Sequence, residues 1–271
     1  MVRKIFSRHI KHMKLIFGQK GYFMSNENSN EKESLRPIKG SITPSERKVI
    51  SEVLQDENLK DFLLESRFLF LKYQAAMQEA ETKIKILNDD FKLRYKHSPI
   101  EQIETRVKTL ESLTKKMIRN QVPFDIEEVQ KRIFDIAGVR IICSFISDIY
   151  HIKEMLEKNQ EMKIIRIKDY VENPKPSGYR SLHMIVSIPV YLTTGREEVA
   201  VEIQIRTMAM DYWASLEHKI QYKCDGVIPD DIRENLLTCS KSIADTDLKM
   251  MELNDFMQQF NSEIELPDDI K

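Results

Sequence analysis

The chain has 271 residues, with 42 Lys and Arg against 43 Asp and Glu, a formal net charge of -1. That length can bury a core without disulfide or metal staples, and no apolar run approaches the ~20 residues of a membrane span. The 7 glycines, at positions 18, 21, 40, 138, 178, 195 and 226, are too scattered for a G-x-G-x-x-G or G-x-x-x-x-G-K-[ST] loop, so any bound phosphate must be held by cationic side chains.

The first 24 residues carry Arg3, Lys4, Arg8, Lys11, Lys14 and Lys20 and no acid. They lack the apolar stretch and cleavage site of a secretory signal. They read as an accessory, disordered extension, with Met24 placed to act as an internal start. Residues 25–45, with Pro37, Gly40 and Pro44, read as a linker, so 1–45 forms an N-terminal extension. Thr43 or Ser45 is placed to cap a helix beginning near Glu46. From Leu59 to Lys96 there is no Pro or Gly. Phe62, Phe68, Leu69, Tyr73, Ala76, Ala80, Ile84, Leu87 and Phe91 recur every three or four residues, which predicts one long amphipathic helix, or two. Ser98-Pro99 ends it.

A shorter helix is predicted over about Thr105–Asn120. Gly138–Phe145 reads as a strand, Ser147–Lys158 as a helix and Met162–Tyr170 as a second strand. A Pro/Gly loop, Glu172–Gly178, leads to a third strand, Arg180–Val190. After the turn Thr193–Gly195, the stretch Glu198–Thr207 alternates: Val199, Val201, Ile203 and Ile205 on one face, Glu198, Glu202, Gln204 and Arg206 on the other. Met208–Tyr222 reads as a helix carrying the sole Trp213. Beyond Pro229 the chain is helical and acidic; residues 225–271 hold twelve acids and four bases. The fold class is α+β: a mixed central sheet of four to five strands flanked by helices, with long N- and C-terminal helices. Residues 46–225 form the catalytic domain and 226–271 an acidic helical segment suited to oligomerisation. Cys143, Cys224 and Cys239 have no metal-site spacing and leave an odd thiol, which suits the cytoplasm and a role as small apolar fillers.

Asp135, just before the first strand read, and Glu202 are two carboxylates placed to converge. Two carboxylates with phosphate oxygens are the usual way of holding Mg²⁺. Cations crowd the same part of the chain: Arg106, Lys108, Lys115, Lys116 and Arg119, then Lys163, Arg166, Lys168, Lys175 and Arg180. Read as the start of a helix, Arg106 and Lys108 would sit against the macrodipole unless an anion joined them, which favours a phosphate there. Lys175 and Tyr179 flank a Pro/Gly turn, with His183 four residues on. A ring beside a cation suits a stacked base with phosphates on the lysine. The set points to a Mg²⁺-dependent nucleotide transferase on a sheet face; the alternative is a non-catalytic nucleotide- or RNA-binding module.

Asp135-Ile-Ala-Gly-Val-Arg140, Arg166-Ile-Lys-Asp-Tyr170, Pro174-Lys-Pro-Ser-Gly-Tyr-Arg-Ser-Leu-His183 and Glu202-Ile-Gln-Ile-Arg-Thr207 resemble the RelA/SpoT-homology synthetase domain. With Met210-Asp-Tyr-Trp-Ala-Ser-Leu-Glu-His218, the chain resembles the small alarmone synthetases. Phe134–Tyr150 and Lys175–His183 are most similar to the RelP branch. The resemblance implies a nucleotidyltransferase-like fold. It also implies transfer of the β,γ-pyrophosphate of ATP to the ribose 3′-OH of GTP or GDP, giving (p)ppGpp and AMP in the bacterial stringent response. It implies Asp135 as Mg²⁺ ligand, and Glu202 as the residue that activates the 3′-OH and shares the metal. Arg106 and Arg140 would sandwich adenine, and Lys108, Ser112 and Lys116 (or its neighbour Lys115) would contact ATP phosphates. Tyr179 would stack on guanine, Lys168, Lys175 and His183 would contact phosphates, and Gln204 the guanosine. No His-Asp dipeptide occurs in the chain, so no hydrolase domain of that type is expected. A homotetramer is implied, with no membrane and no obligatory nucleic acid.

Overall fold

Alternation in Glu198–Thr207 carries the architecture. Val199, Val201, Ile203 and Ile205 are buried while Glu202 and Gln204 on the opposite face are half-exposed, so the strand has one face on the core and one towards the site. The computed structural model describes residues 57–95, 97–223 and 229–264. The predicted extension 1–45, the helix start near Glu46, and Cys224 lie outside the described residues.

The long helix read from the apolar spacing is a single helix, α1 (Glu57–Tyr95). Phe62, Leu69, Tyr73, Ala76, Ala80 and Ile84 are buried along it, whereas Phe68, expected in the stripe, is 69% exposed. The helix predicted over Thr105–Asn120 is corrected. Residues Gln102–Val107 form strand β1, and helix α2 begins only at Leu110 (Leu110–Arg119). The reason lies in period two: Ile103, Thr105 and Val107 alternate with Glu104 and Arg106. The helix is then started by Thr109, whose hydroxyl accepts from the Ser112 N–H at 3.2 Å. A short helix α3 (Ile126–Arg132), capped by Asp125, was not anticipated.

Strand β2 (Ala137–Cys143), helix α4 (Ile146–Lys158), strands β3 (Lys163–Asp169), β4 (Leu182–Leu192) and β5 (Gly195–Thr207), and helices α5 (Met208–Lys223) and α6 (Asp230–Ile264) complete the order. They match the expected elements to within a few residues. The five strands make one mixed sheet in the order β1-β2-β5-β4-β3, with only the β2–β5 pair parallel. That parallel pair is made possible by the long excursion through α4, β3 and β4. Its apolar face is filled by Val139, Ile141, Met184, Val186, Val201, Ile203 and Ile205, all at most 1% exposed.

Two compact units share the chain. Among the described residues the first holds 57–71 and 108–133, and the second holds 72–107 and 134–264. In the first, Phe62 meets Phe124 edge-on at 5.3 Å, and Leu113, Met117 and Val129 are fully buried. The second contains the sheet and both long C-terminal helices.

Candidate active site

Strand register assembles the polar face of the sheet. One row runs Glu104, Arg140, Gln204, His183, Lys168 across all five strands. The adjacent row runs Arg106, Gly138, Glu202, Ile185, Arg166. Cross-strand partners share a face, so residues from 104 to 204 in sequence meet on one surface. Arg106 therefore projects from a strand, and the expected conflict between its charge and a helix dipole does not arise.

Arg106 and Arg140 are diagonal neighbours across β1 and β2. Such side chains lie about 7–8 Å apart, and a flat ring stacked between two groups needs about 7 Å at ordinary carbon contact distances. Gly138 lies beside Arg106 in the register, and a Cβ there would come within 3.7 Å of the Arg106 side chain. The missing side chain leaves room in an open pocket whose lining includes Arg106, Gly138, Arg140, Glu202 and Gln204. Arg140 is steered by two carboxylates: its Nη1 is 3.1 Å from Glu104 Oε2 and 3.4 Å from Asp211 Oδ1.

Glu202 is part of a closed ring of hydrogen bonds. Its Oε1 is 3.3 Å from His183 Nδ1, and its Oε2 accepts from Gln204 Nε2 at 2.8 Å. His183 Nε2 meets the Tyr179 hydroxyl at 2.8 Å. Arg206 Nη2 donates to that hydroxyl at 2.5 Å and to Gln204 Oε1 at 2.8 Å. The Tyr179 oxygen accepts from Arg206, so its O–H can donate to Nε2 of a neutral imidazole that carries its proton on Nδ1; a protonated ring likewise presents Nδ1–H to Glu202. Burial pushes the Glu202 pKa up, but the hydrogen bonds and charge of His183 and the Gln204 bond together hold it below its ordinary value. The carboxylate is thus ionised at neutral pH.

Asp135, two residues before β2, lies close enough for its charge to push Glu202 upwards. It also acts on Tyr73, whose hydroxyl is raised by burial and then by Asp135 to about 12. Two carboxylates in electrostatic contact on a partly enclosed surface form a donor set suited to a hard divalent cation that keeps other ligands from water or phosphate. Among the described residues no group of three or more His, Cys, Asp or Glu side chains forms a larger cage.

The Lys175–Tyr179 turn carries the other expected residues. Gly178 N–H closes it onto the Lys175 carbonyl at 2.8 Å, and Lys175 N–H donates to the Tyr179 carbonyl at 3.1 Å. Lys175 Nζ then lies 4.4 Å from the Tyr179 ring centre and 4.6 Å from that of Tyr170. Arg206 also approaches the Tyr179 ring, at 5.1 Å. Lys168 is exposed on β3 beside His183 in the register. Lys108, Ser112 and Lys116 belong to the first unit. There Ser112 is in the first turn of α2, Lys116 is half-buried, and Lys115 is an exposed partner of Glu111 at 2.7 Å.

The family and the fold have known relatives. Residues 105–227 match the family model described as a region found in RelA / SpoT proteins. The chain is 43% identical over 195 residues to GTP pyrophosphokinase YwaC of Bacillus subtilis, covering 72% of this chain and 93% of that one. The chain belongs to the RelA/SpoT family of small alarmone synthetases. GTP pyrophosphokinase YjbM of the same organism is 38% identical over 194 residues, 71% of this chain and 90% of that relative. The crystal structure of small alarmone synthetase 1 from Bacillus subtilis bound to its product pppGpp superposes with a TM-score of 0.67 at 37% identity, over 72% of this chain and 98% of that one.

Three members of this synthetase's site escaped the sequence reading. Arg206, only 5% exposed, links Tyr179, Gln204 and Asp211, which accepts from its Nη1 at 3.0 Å. Its place on the polar face of the alternating strand was legible; its burial was not. Asp211 and Glu104 orient Arg140, and nothing in their sequence positions signals that pairing.

Proposed function

We propose that this chain transfers the β,γ-pyrophosphate of ATP to the ribose 3′-OH of GTP or GDP, giving (p)ppGpp and AMP. The observation that carries this reading is an ionised Glu202 held on both oxygens, electrostatically coupled to Asp135 and set among Arg106, Arg140 and Lys168. A protein that merely bound anions would weaken its own site with such a carboxylate pair. Membership in a family whose named relatives are GTP pyrophosphokinases supports the same chemistry.

In this reading Arg106 and Arg140 hold adenine between their planes over Gly138, and Lys108, Ser112 and Lys116 contact the phosphates of ATP. Tyr179 stacks on guanine, Gln204 contacts the guanosine, and Lys168, Lys175 and His183 face phosphates. Glu202 accepts the 3′-OH proton as the 3′-oxygen bonds to the β-phosphorus and the bond from that phosphorus to the α-phosphate oxygen breaks, releasing AMP. His183 and Gln204 fix the carboxylate for this step. Asp135 and Glu202 would hold Mg²⁺, which supplies charge neutralisation for the phosphates.

The finer readings are proposals as well: the RelP branch, on the Phe134–Tyr150 and Lys175–His183 stretches; a cytoplasmic location, on the nucleotide substrates and the free thiols of Cys143 and Cys239; a place in the bacterial stringent response; and a homotetramer. Among the described residues no helix is long and apolar enough to cross a membrane. Purified protein with ATP, GTP and Mg²⁺ is expected to form pppGpp and AMP on a thin-layer assay with labelled ATP. Glu202→Gln and Asp135→Asn are each expected to reduce the rate by at least about a hundredfold while circular dichroism is unchanged. Full turnover in both variants would reject the assignment.

A further inference from the structure

The acidic helix α6 turns a polar stripe inward. Ser240, Ala244 and Asp247 are 5%, 8% and 7% exposed, and their spacing puts them on one face. The face meets the Lys175–Tyr179 turn and the end of β5. The Ser240 hydroxyl donates to the Gly178 carbonyl at 2.5 Å. Thr207, the last residue of β5, donates to Asp247 Oδ2 at 2.6 Å, and its hydroxyl accepts from the Met210 N–H at 3.1 Å. Trp213 Nε1 donates to the Leu236 carbonyl at 2.9 Å. These bonds tie α6 to β5 and α5 on either side of Ser240.

Contact at the turn is unusually close. Gly178 has φ +91°, and a Cβ added there would fall 2.7 Å from Ser240 Cβ and 2.8 Å from its Oγ. Glycine is therefore required both by conformation and by the approach of the helix. The next residue is Tyr179, whose hydroxyl joins the ring that ends on Glu202. A path of direct contacts thus runs from α6 through the turn to the catalytic carboxylate.

We propose that α6 is part of the guanine-nucleotide site: Ser240, on a helix anchored through Asp247, is a positioning residue that holds the Lys175–Tyr179 turn in the shape that receives the acceptor base. This rests on the pyrophosphate-transfer reading above. A turn already held loses less conformational freedom when its ligand arrives, and that saving appears as affinity. The gain falls on the acceptor because the Ser240 hydroxyl bonds the turn at Gly178, while Arg106, Gly138 and Arg140 stand on β1 and β2.

Ser240→Ala tests the proposal, since alanine is the best helix former and leaves α6 intact. Loss of one buried hydrogen bond is expected to raise the acceptor KM about 5–10-fold, with the same shift in the Kd for GDP measured by calorimetry without ATP. The KM for ATP should be unchanged, and any fall in kcat should be smaller than the rise in acceptor KM. Ser242→Ala, whose hydroxyl bonds its own helix at the Thr238 carbonyl 3.3 Å away, should change neither substrate. An active wild type with unaltered acceptor binding in Ser240→Ala would overturn this inference alone. So would an equal loss for both substrates together with a lowered Tm. A wild type that forms no product would overturn the transfer reading and this inference with it.

Discussion

Gly138 is the residue at which sequence scarcity becomes mechanism. With so few glycines the chain has no glycine loop, and the one glycine on its polar sheet face leaves the space between two arginines open. A Cβ there would make only ordinary contacts, at 3.7–3.8 Å, so the strand itself tolerates a side chain. Valine suits a strand and fills the gap. Gly138→Val is expected to raise the KM for ATP by at least about tenfold, as loss of a stacked base would, while the KM for GTP and the Tm stay close to wild type. Equal effects on both nucleotides would place adenine elsewhere. Arg206 carries a related lesson. It was read correctly as lying on the polar face, yet its burial depends on Tyr179, Ser181 and Asp211, which reach it from other elements.

Helix α6 shows at the level of an element what sequence reading sees and misses. Its existence follows from the uninterrupted stretch after Pro229, but its inward face is Ser240, Ala244 and Asp247, which by composition resembles a solvated face. Only the close approach of Gly178 and Thr207 reveals it as buried. Burial raises the Asp247 pKa more than its bond from Thr207 and the charge of Arg180 lower it. An acid raised in the folded state loses its proton first on unfolding. Stability therefore falls as pH climbs from the ordinary aspartate value of 3.8 through the folded value, and the loss persists above it. Asp247→Asn keeps an acceptor for Thr207 and removes the charge. Its Tm should exceed that of wild type at pH 7, with the difference vanishing below the ordinary aspartate value. A lower Tm at pH 7 would show that the ionised form is favoured in place. The alternating strand β5 was legible because its period is unbroken over many residues. Strand β1 was misread because six residues run straight into a helix with only Lys108 and Thr109 between them.

The molecule as a whole has a charge of -1 that averages a basic N-terminal arm, a nearly neutral body and an acidic tail. It also leaves large apolar side chains in solvent on both long helices. Leu253 and Phe256 on α6 are 59% and 63% exposed, and Phe68 on α1 is 69% exposed. Scattered exposed leucines are ordinary, but on α6 Leu253, Phe256 and Met257 fall at the spacing of one helix face. The stripe at Ser240, Ala244 and Asp247, through which α6 packs on its own chain, lies on a different side of the helix from the exposed Leu253 and Met257. A second copy is the partner that the proposed tetramer would supply. Leu253→Asp with Met257→Asp would place two charges in such an interface, at a cost of several kcal/mol for burial without counter-charges. Multi-angle light scattering is expected to show a smaller species for the double variant than for wild type at the same concentration, with circular dichroism unchanged. A wild type already monomeric at micromolar concentration would remove the tetramer, and leave α6 with the turn as its one task.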